Sequence, residues 1–237
     1  MSESRTMITS NGLSFPEDSR VMTDRLRTLL SRGQYEASEA RALGAFVGKG
    51  AAIVELGAGI GYLSTMAACH HGARSVTCIE ANPVLCDYIR QVHAANGVTG
   101  SRVVNAVALP GPPSPERPAK LPFHVAEPFW SSAMERPAKL PSEEISVPTV
   151  SLDAVLAEAR ADALICDIEG GEGTLFDDAD LGQVRFVLVE LHTNRIKPAG
   201  VVGVFEAMHR HGFFYHPKGS GTRVVLFKRF RPARPGR

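Results

Sequence analysis

"VELGAGIGYLS" (residues 54–64) joins an apolar run to an apolar-periodic segment through glycines at 57, 59 and 61. The run before it, "AAIVEL" (51–56), is short, apolar and bounded by Gly50 and Gly57, which predicts a buried strand. Beyond it, residues 60–71 place Ile60, Leu63 and Ala67 on one helical face. Glycines between a buried strand and a helix let the chain turn sharply and let a ligand approach the main chain closely. The stretch therefore predicts the first strand–turn–helix of a nucleotide-binding α/β sheet.

The alternation continues outward from there. "SVTCIE" (75–80) predicts a second strand, residues 84–95 a helix with Leu85, Tyr88, Ile89 and Val92 inward, and "RVVNAVAL" (102–109) a third strand. Ser151 is placed to N-cap a helix whose apolar face is Leu152, Val155, Leu156 and Ala159. "ALICDI" (163–168) and "VRFVLVEL" (184–191) predict two more strands with a short helical turn between them. A helix over 201–211 stops at Gly212, and "FFYHP" with "RVVLFKRF" predicts a closing hairpin around "KGSGT". The fold class is α/β: a doubly wound, Rossmann-like sheet, mostly parallel, with a C-terminal antiparallel strand pair.

Before the first strand, residues 35–48 are helical in pattern, and 1–33 are polar and mixed with one short helix near Val21–Leu30. The expected organisation is a helical extension over 1–48, a main domain over 49–230 and a basic tail over 231–237. The tail reads as a solvated, frayed end. A Pro-rich insertion occupies about 110–148, where "ERPAKLP" occurs identically at 116–122 and 135–141. Proline argues against a helix or a central strand there. The residues between the copies, including Trp130, Ser131 and Ser132, are candidates for a flap over a site.

The 237 residues carry 26 basic and 25 acidic side chains, a net charge of +1. No global field favours nucleic acid or an anionic membrane, so neither is expected as a partner. Oligomeric state is not legible. Four cysteines without a C-x-x-C pair, and the lack of any apolar run near 18 residues, predict a soluble cytoplasmic chain with reduced thiols.

Glu80 ends the second predicted strand 19 residues after Gly61, where a carboxylate can accept from both ribose hydroxyls. A dinucleotide fingerprint needs G-x-G-x-x-G, but Tyr62 stands at its third glycine. Glu55, two residues before Gly57, would repel a pyrophosphate and suits a cofactor bearing an ammonium group. The loop thus favours S-adenosylmethionine over NAD, with a nucleotide-dependent oxidoreductase as the alternative. The residues expected around the cofactor are Glu55, Gly57, Gly59, Gly61 and Glu80, followed by Ala81 and Asn82. Asn105 and Ala106 lie beside the adenine, and Tyr35 and Glu36 are candidates for closing over the methionine end, against a plain helix-start role.

"VELGAGIGYLS", "IEANP", "SLDAVL", "ICDIEGGEGTLF" and "VLVELH" resemble, in that order, the FkbM-type S-adenosylmethionine-dependent methyltransferases of class I. The resemblance spans about Tyr35 to Phe227. It implies an O-methyltransferase acting on a hydroxyl of a sugar, polyketide or other secondary metabolite. Gly59 stands where such proteins often carry Asn, and Ile165 where they often carry Lys. The second departure predicts that Asp167 has no nearby cation.

Asp167 ends the fourth predicted strand, at the sheet edge where ligands bind, and is expected to face the transferable methyl group. Asp167 and Glu169 are the leading acceptor-side residues. His192, after the next strand, is the leading general-base candidate because imidazole titrates near neutrality. Glu172 is expected in the first turn of a helix, where the dipole favours a negative charge. Asp167, Glu169 and His192 also suit a divalent metal, but their spacing is not diagnostic and no metal is assigned. A cofactor-binding protein without catalytic activity is a further alternative.

Overall fold

A computed structural model describes residues 6–126, 132–134 and 141–230. Strand β1 (Met7–Ser10) and strand β2 (Leu13–Pro16) form an antiparallel hairpin turned by Asn11 and Gly12, at φ 48° and 76°. Two successive positive φ values are what an Asn-Gly hairpin turn requires. The expected helical extension over 1–48 therefore also contains a β-hairpin. The Asn-Gly signal was present, but inward burial is concentrated in β2, at Leu13 and Phe15, so the segment looked merely polar. Helix α1 (Asp24–Ser31) follows, N-capped by Thr23, and then helix α2 (Ala37–Phe46).

The main sheet collects β3 (Ala52–Leu56), β4 (Ser75–Glu80), β5 (Ser101–Asn105), β9 (Ala163–Cys166), β10 (Phe186–Glu190), β11 (Phe213–Tyr215) and β12 (Val224–Arg229). Their order is β11-β12-β10-β9-β3-β4-β5, and β12 alone runs against its neighbours. Side chains alternate between two cores. Ile53, Ile165 and Leu188 pack on the face covered by the N-terminal elements, α3 (Tyr62–His71) and α4 (Pro83–Ala95). Val54, Leu164, Val187 and Val189 pack on the other face against α5 (Leu152–Ala159), α6 (Glu172–Leu175) and α7 (Thr193–Arg210). A parallel sheet buried on both faces needs apolar residues at nearly every position, which is how these runs read.

The expected third strand divides. β5 ends at Asn105, and after Ala106 the chain enters β6 (Val107–Leu109) of a separate sheet. There β6 pairs in parallel with β8 (Ser142–Ser151), which pairs antiparallel with β7 (Lys120–Ala126). The Pro-rich insertion therefore contains strands. Its prolines are tolerated because Pro122 and Pro148 sit in a small outer sheet rather than a central strand. Trp130, Ser131, the body of the second "ERPAKLP" copy and the basic tail lie outside the described residues. No helix among the described residues is long and apolar enough to cross a membrane.

Candidate active site

The strands β3, β4, β5, β9 and β10 are mutually parallel, so their carboxyl ends share one edge of the sheet. From β3 the chain moves to β4 and β5 on one side, then returns to β9 and β10 on the other. Such a reversal of winding opens a crevice for ligands. A cavity of about 1010 Å³, mouth included, lies at these ends and takes wall residues from the insertion as well.

At one end are Gly57, Gly59, Glu80 and Ala81. The Glu80 carboxylate is held from behind, accepting from Gly59 N (3.0 Å) and Asn82 N (2.8 Å). Burial pushes its pKa up to about 7 despite those backbone bonds. Ile79, Leu85 and the Ala106–Leu109 stretch supply an apolar wall. Glu36 also lines the cavity, in the left-handed region at φ 45°, and burial raises its pKa well above the ordinary carboxylate value. Tyr35 packs edge-on against Tyr62 at 5.5 Å, and Tyr62 Oη accepts from Asn11 Nδ2 at 2.7 Å, which ties the hairpin turn to this wall.

Four expected cofactor residues stand behind the cavity rather than on its surface. Glu55 is buried with Cys78 Sγ 3.8 Å from its Oε2, and burial pushes its pKa up to about 8. Gly61 caps α3, and a Cβ there would meet Ile89 at 3.1 Å. Asn82 caps α4 through Val84 N, and Asn105 Nδ2 donates to the carbonyls of Glu80 and Ala81. The side chains of Asn82 and Asn105 and the close packing at Gly61 hold the lining in place. Gly57 has a steric reason of its own, since a Cβ would lie 1.7 Å from the Asp167 carbonyl oxygen.

At the other end Asp167, Ile168, Glu169, Thr174 and Leu175 face Phe123, Ser132 and Met134 of the insertion. Ser132 Oγ accepts from Ala126 N at 3.0 Å. His192 is 6% exposed and sits behind the carboxylates, outside the lining. Its Nε2 lies 3.4 Å from Asp167 Oδ1 and 3.5 Å from Glu169 Oε1, and its Nδ1 3.2 Å from Glu172 Oε1. Burial alone would lower the His192 pKa, but bonds to Glu169 and Glu172 and the surrounding negative charge outweigh it and raise it to about 10. The imidazolium is thus the cation beside Asp167, correcting the expectation that Ile165 leaves none. Ile165 itself belongs to the core.

Burial, with the Glu190 charge adding to it, raises the Asp167 carboxyl well above its ordinary range. Glu172 is fully buried, accepting from His192 N (2.8 Å) and Gly170 N (2.7 Å). Burial works to raise its pKa, and the His192 bonds hold it below the usual carboxylate value. Arg195 Nε pairs with Glu169 Oε2 at 3.1 Å. Sequence reasoning assigned no role to Glu190, whose ligand atom joins those of Asp167 and His192 within 4.8 Å. Its spacing from His192, two residues at a strand end, was the available signal.

The family description "Methyltransferase FkbM domain" matches residues 55–215. No curated protein matches the chain. Among solved structures, Trm5b from Pyrococcus abyssi superposes with TM-score 0.51 at 13% identity, covering 95% of this chain and 56% of that one. M. jannaschii TYW2 in complex with AdoMet gives 0.48 at 14% identity, covering 97% and 89%. Precorrin-6y C5,15-methyltransferase from Geobacter metallireducens GS-15 gives 0.45 at 13%, covering 90% and 91%. At 13% identity the likeness to Trm5b speaks to the fold alone, and the family match speaks against the oxidoreductase alternative. With the glycine turn, the anchored Glu80 and the cavity at the strand ends, that match over most of the sheet shows that the chain belongs to the FkbM family of S-adenosylmethionine-dependent methyltransferases.

Proposed function

We propose that the protein methylates a hydroxyl group on an uncharged small molecule. One observation carries this reading: Glu36, Glu80, Asp167 and Glu169 line the cavity, and among the described residues no Lys or Arg does. A phosphate-bearing acceptor would meet like charge without a partner, whereas a sulfonium cofactor and a neutral acceptor would not. Bound S-adenosylmethionine supplies an electrophilic methyl carbon already activated by its positive sulfur.

The residues of the chain do the rest. Glu80, fixed by two backbone N–H groups, offers its outward lone pairs to the ribose hydroxyls. Gly57 and Gly59 keep the turn free of side chains, and Glu36 faces the cationic methionine end. Asp167 and Glu169 receive the acceptor hydroxyl, a poor nucleophile that needs a base nearby. Asp167 is the base in this reading, with burial and the Glu190 charge raising its carboxyl well above the ordinary range. His192, an imidazolium behind it, has no free lone pair to accept a proton. It acts as a positioning residue, and the general-base role moves to the carboxylate. Phe123, Met134 and Leu175 give an apolar wall suited to a carbon-rich acceptor. In this reading Tyr35 and Glu36 of the N-terminal extension close the cofactor end, and Phe123, Ser132 and Met134 of the insertion wall the acceptor end.

The test is methyl transfer from labelled S-adenosylmethionine into two pools, total RNA and a desalted extract of neutral metabolites. Label in a neutral, hydroxyl-bearing product identified by mass spectrometry is expected. Label confined to RNA would overturn the small-molecule reading.

A further inference from the structure

We propose that Asp167, Glu190 and His192 form a binding site for a divalent first-row cation at the acceptor end. The proposal deepens the methyl-transfer reading and relies on it for the purpose of the cation, though not for its binding. One ligand atom from each residue lies within 4.8 Å of the others. The fold makes this possible because β9 and β10 are adjacent and parallel. Asp167 follows the last residue of β9, while Glu190 ends β10 and His192 stands two residues on.

Two observations beyond proximity point to a ligand. The His192 ring is buried and its direction is set by Glu172, which holds Nδ1 while being locked by two backbone N–H groups. A carboxylate behind the ring is how metal-binding histidines are oriented. Nε2 is thereby aimed between Asp167 and Glu169, at 3.4 and 3.5 Å, beyond the 2.7–2.9 Å of a charge-assisted hydrogen bond. The second observation is Asp167 Oδ1, which is buried in the same space and has no hydrogen-bond partner.

The charges around the space favour a cation. Asp167, Glu169, Glu172 and Glu190 surround His192. The guanidinium groups present are engaged at the edges, Arg195 on Glu169 and Arg223 on Glu190 Oε1 at 3.0 Å. Arg223 itself is largely exposed. A cation here exchanges for the imidazole proton, so His192 binds as a neutral ligand. One imidazole with two carboxylates suits Mn²⁺, Fe²⁺ or Zn²⁺ better than an all-oxygen site would. An acceptor hydroxyl coordinated to such an ion is acidified, and with Asp167 engaged as a ligand the base role passes from it to Glu169.

Mn²⁺ added to chelator-stripped protein, without cofactor or acceptor, tests this by electron paramagnetic resonance. One bound Mn²⁺ per chain is expected, with imidazole-nitrogen modulation in the spin echo of the unmodified protein. Glu190→Gln should weaken binding at least tenfold, and Glu172→Gln about 10–100-fold. Absence of binding, binding without nitrogen modulation, or unchanged affinity in a folded Glu190→Gln variant would each overturn the proposal. If that variant fails to fold, the nitrogen modulation decides alone. Calorimetry with S-adenosylmethionine in the presence of chelator reports on the methyl-transfer reading separately.

Discussion

The two ends of the cavity treat buried carboxylates differently. Glu80 is held by backbone N–H groups of Gly59 and Asn82, donors that carry no charge and cannot swing away. Asp167 is beside the His192 ring, which is itself held by Glu172 from another element. The cofactor end is thus written into a local turn and the residue ending the next strand. The acceptor end is assembled from β9, α6, β10 and the insertion. The difference teaches that one end of the cavity rests on main-chain donors and the other on side chains brought from several elements, which under the proposed function separates cofactor recognition from acceptor chemistry.

Asp167→Asn offers the sharpest break between the two ends. Turnover should fall about 10²–10⁴-fold, the usual effect of removing a positioned acid–base group. Calorimetry should find cofactor affinity nearly unchanged, and an equal loss in both would show that the ends do not act separately. Glu80→Ala should do the reverse. Cofactor binding should weaken by about 1.5–3 kcal/mol, the cost of losing a charged hydrogen-bond partner. Turnover at saturating cofactor should then stay close to that of the parent.

Gly57→Ala tests where the ends touch. The new Cβ would meet the Asp167 carbonyl at 1.7 Å, on a backbone at φ +72°. A destabilisation of at least about 1–3 kcal/mol is expected from overpacking, lowering Tm by about 2–4 °C per kcal/mol for a chain of this size. Undiminished Tm would show that the β3–β9 junction yields easily.

The smallest effect concerns pH. Glu55 and Glu80 have folded pKa values of about 8 and about 7, above the ordinary value of 4.5, so between pH 4.5 and 8 the folded state binds more protons. Stability therefore falls as pH rises through that window. His192, raised from 6.5 to about 10, contributes stability that is full below pH 6.5 and lost towards pH 10, the same direction. Thermal melts of the cofactor-free protein should decline from pH 5 to 8.5, and Glu55→Gln should flatten the slope. An unchanged slope in that variant would remove Glu55 from the account.

The strands and most helices were legible because a parallel sheet covered on both faces writes its burial into short apolar runs. Two elements escaped. The β1–β2 hairpin carries few inward apolar residues on β1, and the outer strands β7 and β8 hold prolines that a central strand would exclude. At the site, Gly57, Gly59, Glu80, Ala81, Ala106, Glu36, Asp167 and Glu169 line the cavity. Glu55, Asn82 and Asn105 were near in sequence but turn behind it.

By itself the sequence determined the α/β alternation, the glycine turn and the acidic residue that follows it, since these depend on periodicity and on conformations open to glycine. Tertiary structure alone decided which carboxylates share a space. Asp167 and Glu172 meet His192 because β9, α6 and β10 converge, and residues of the insertion share one cavity with those of the sheet edge. Such contacts join residues far apart along the chain, and the direction of each side chain follows from strand register and local φ. Neither quantity is carried by the spacing of letters.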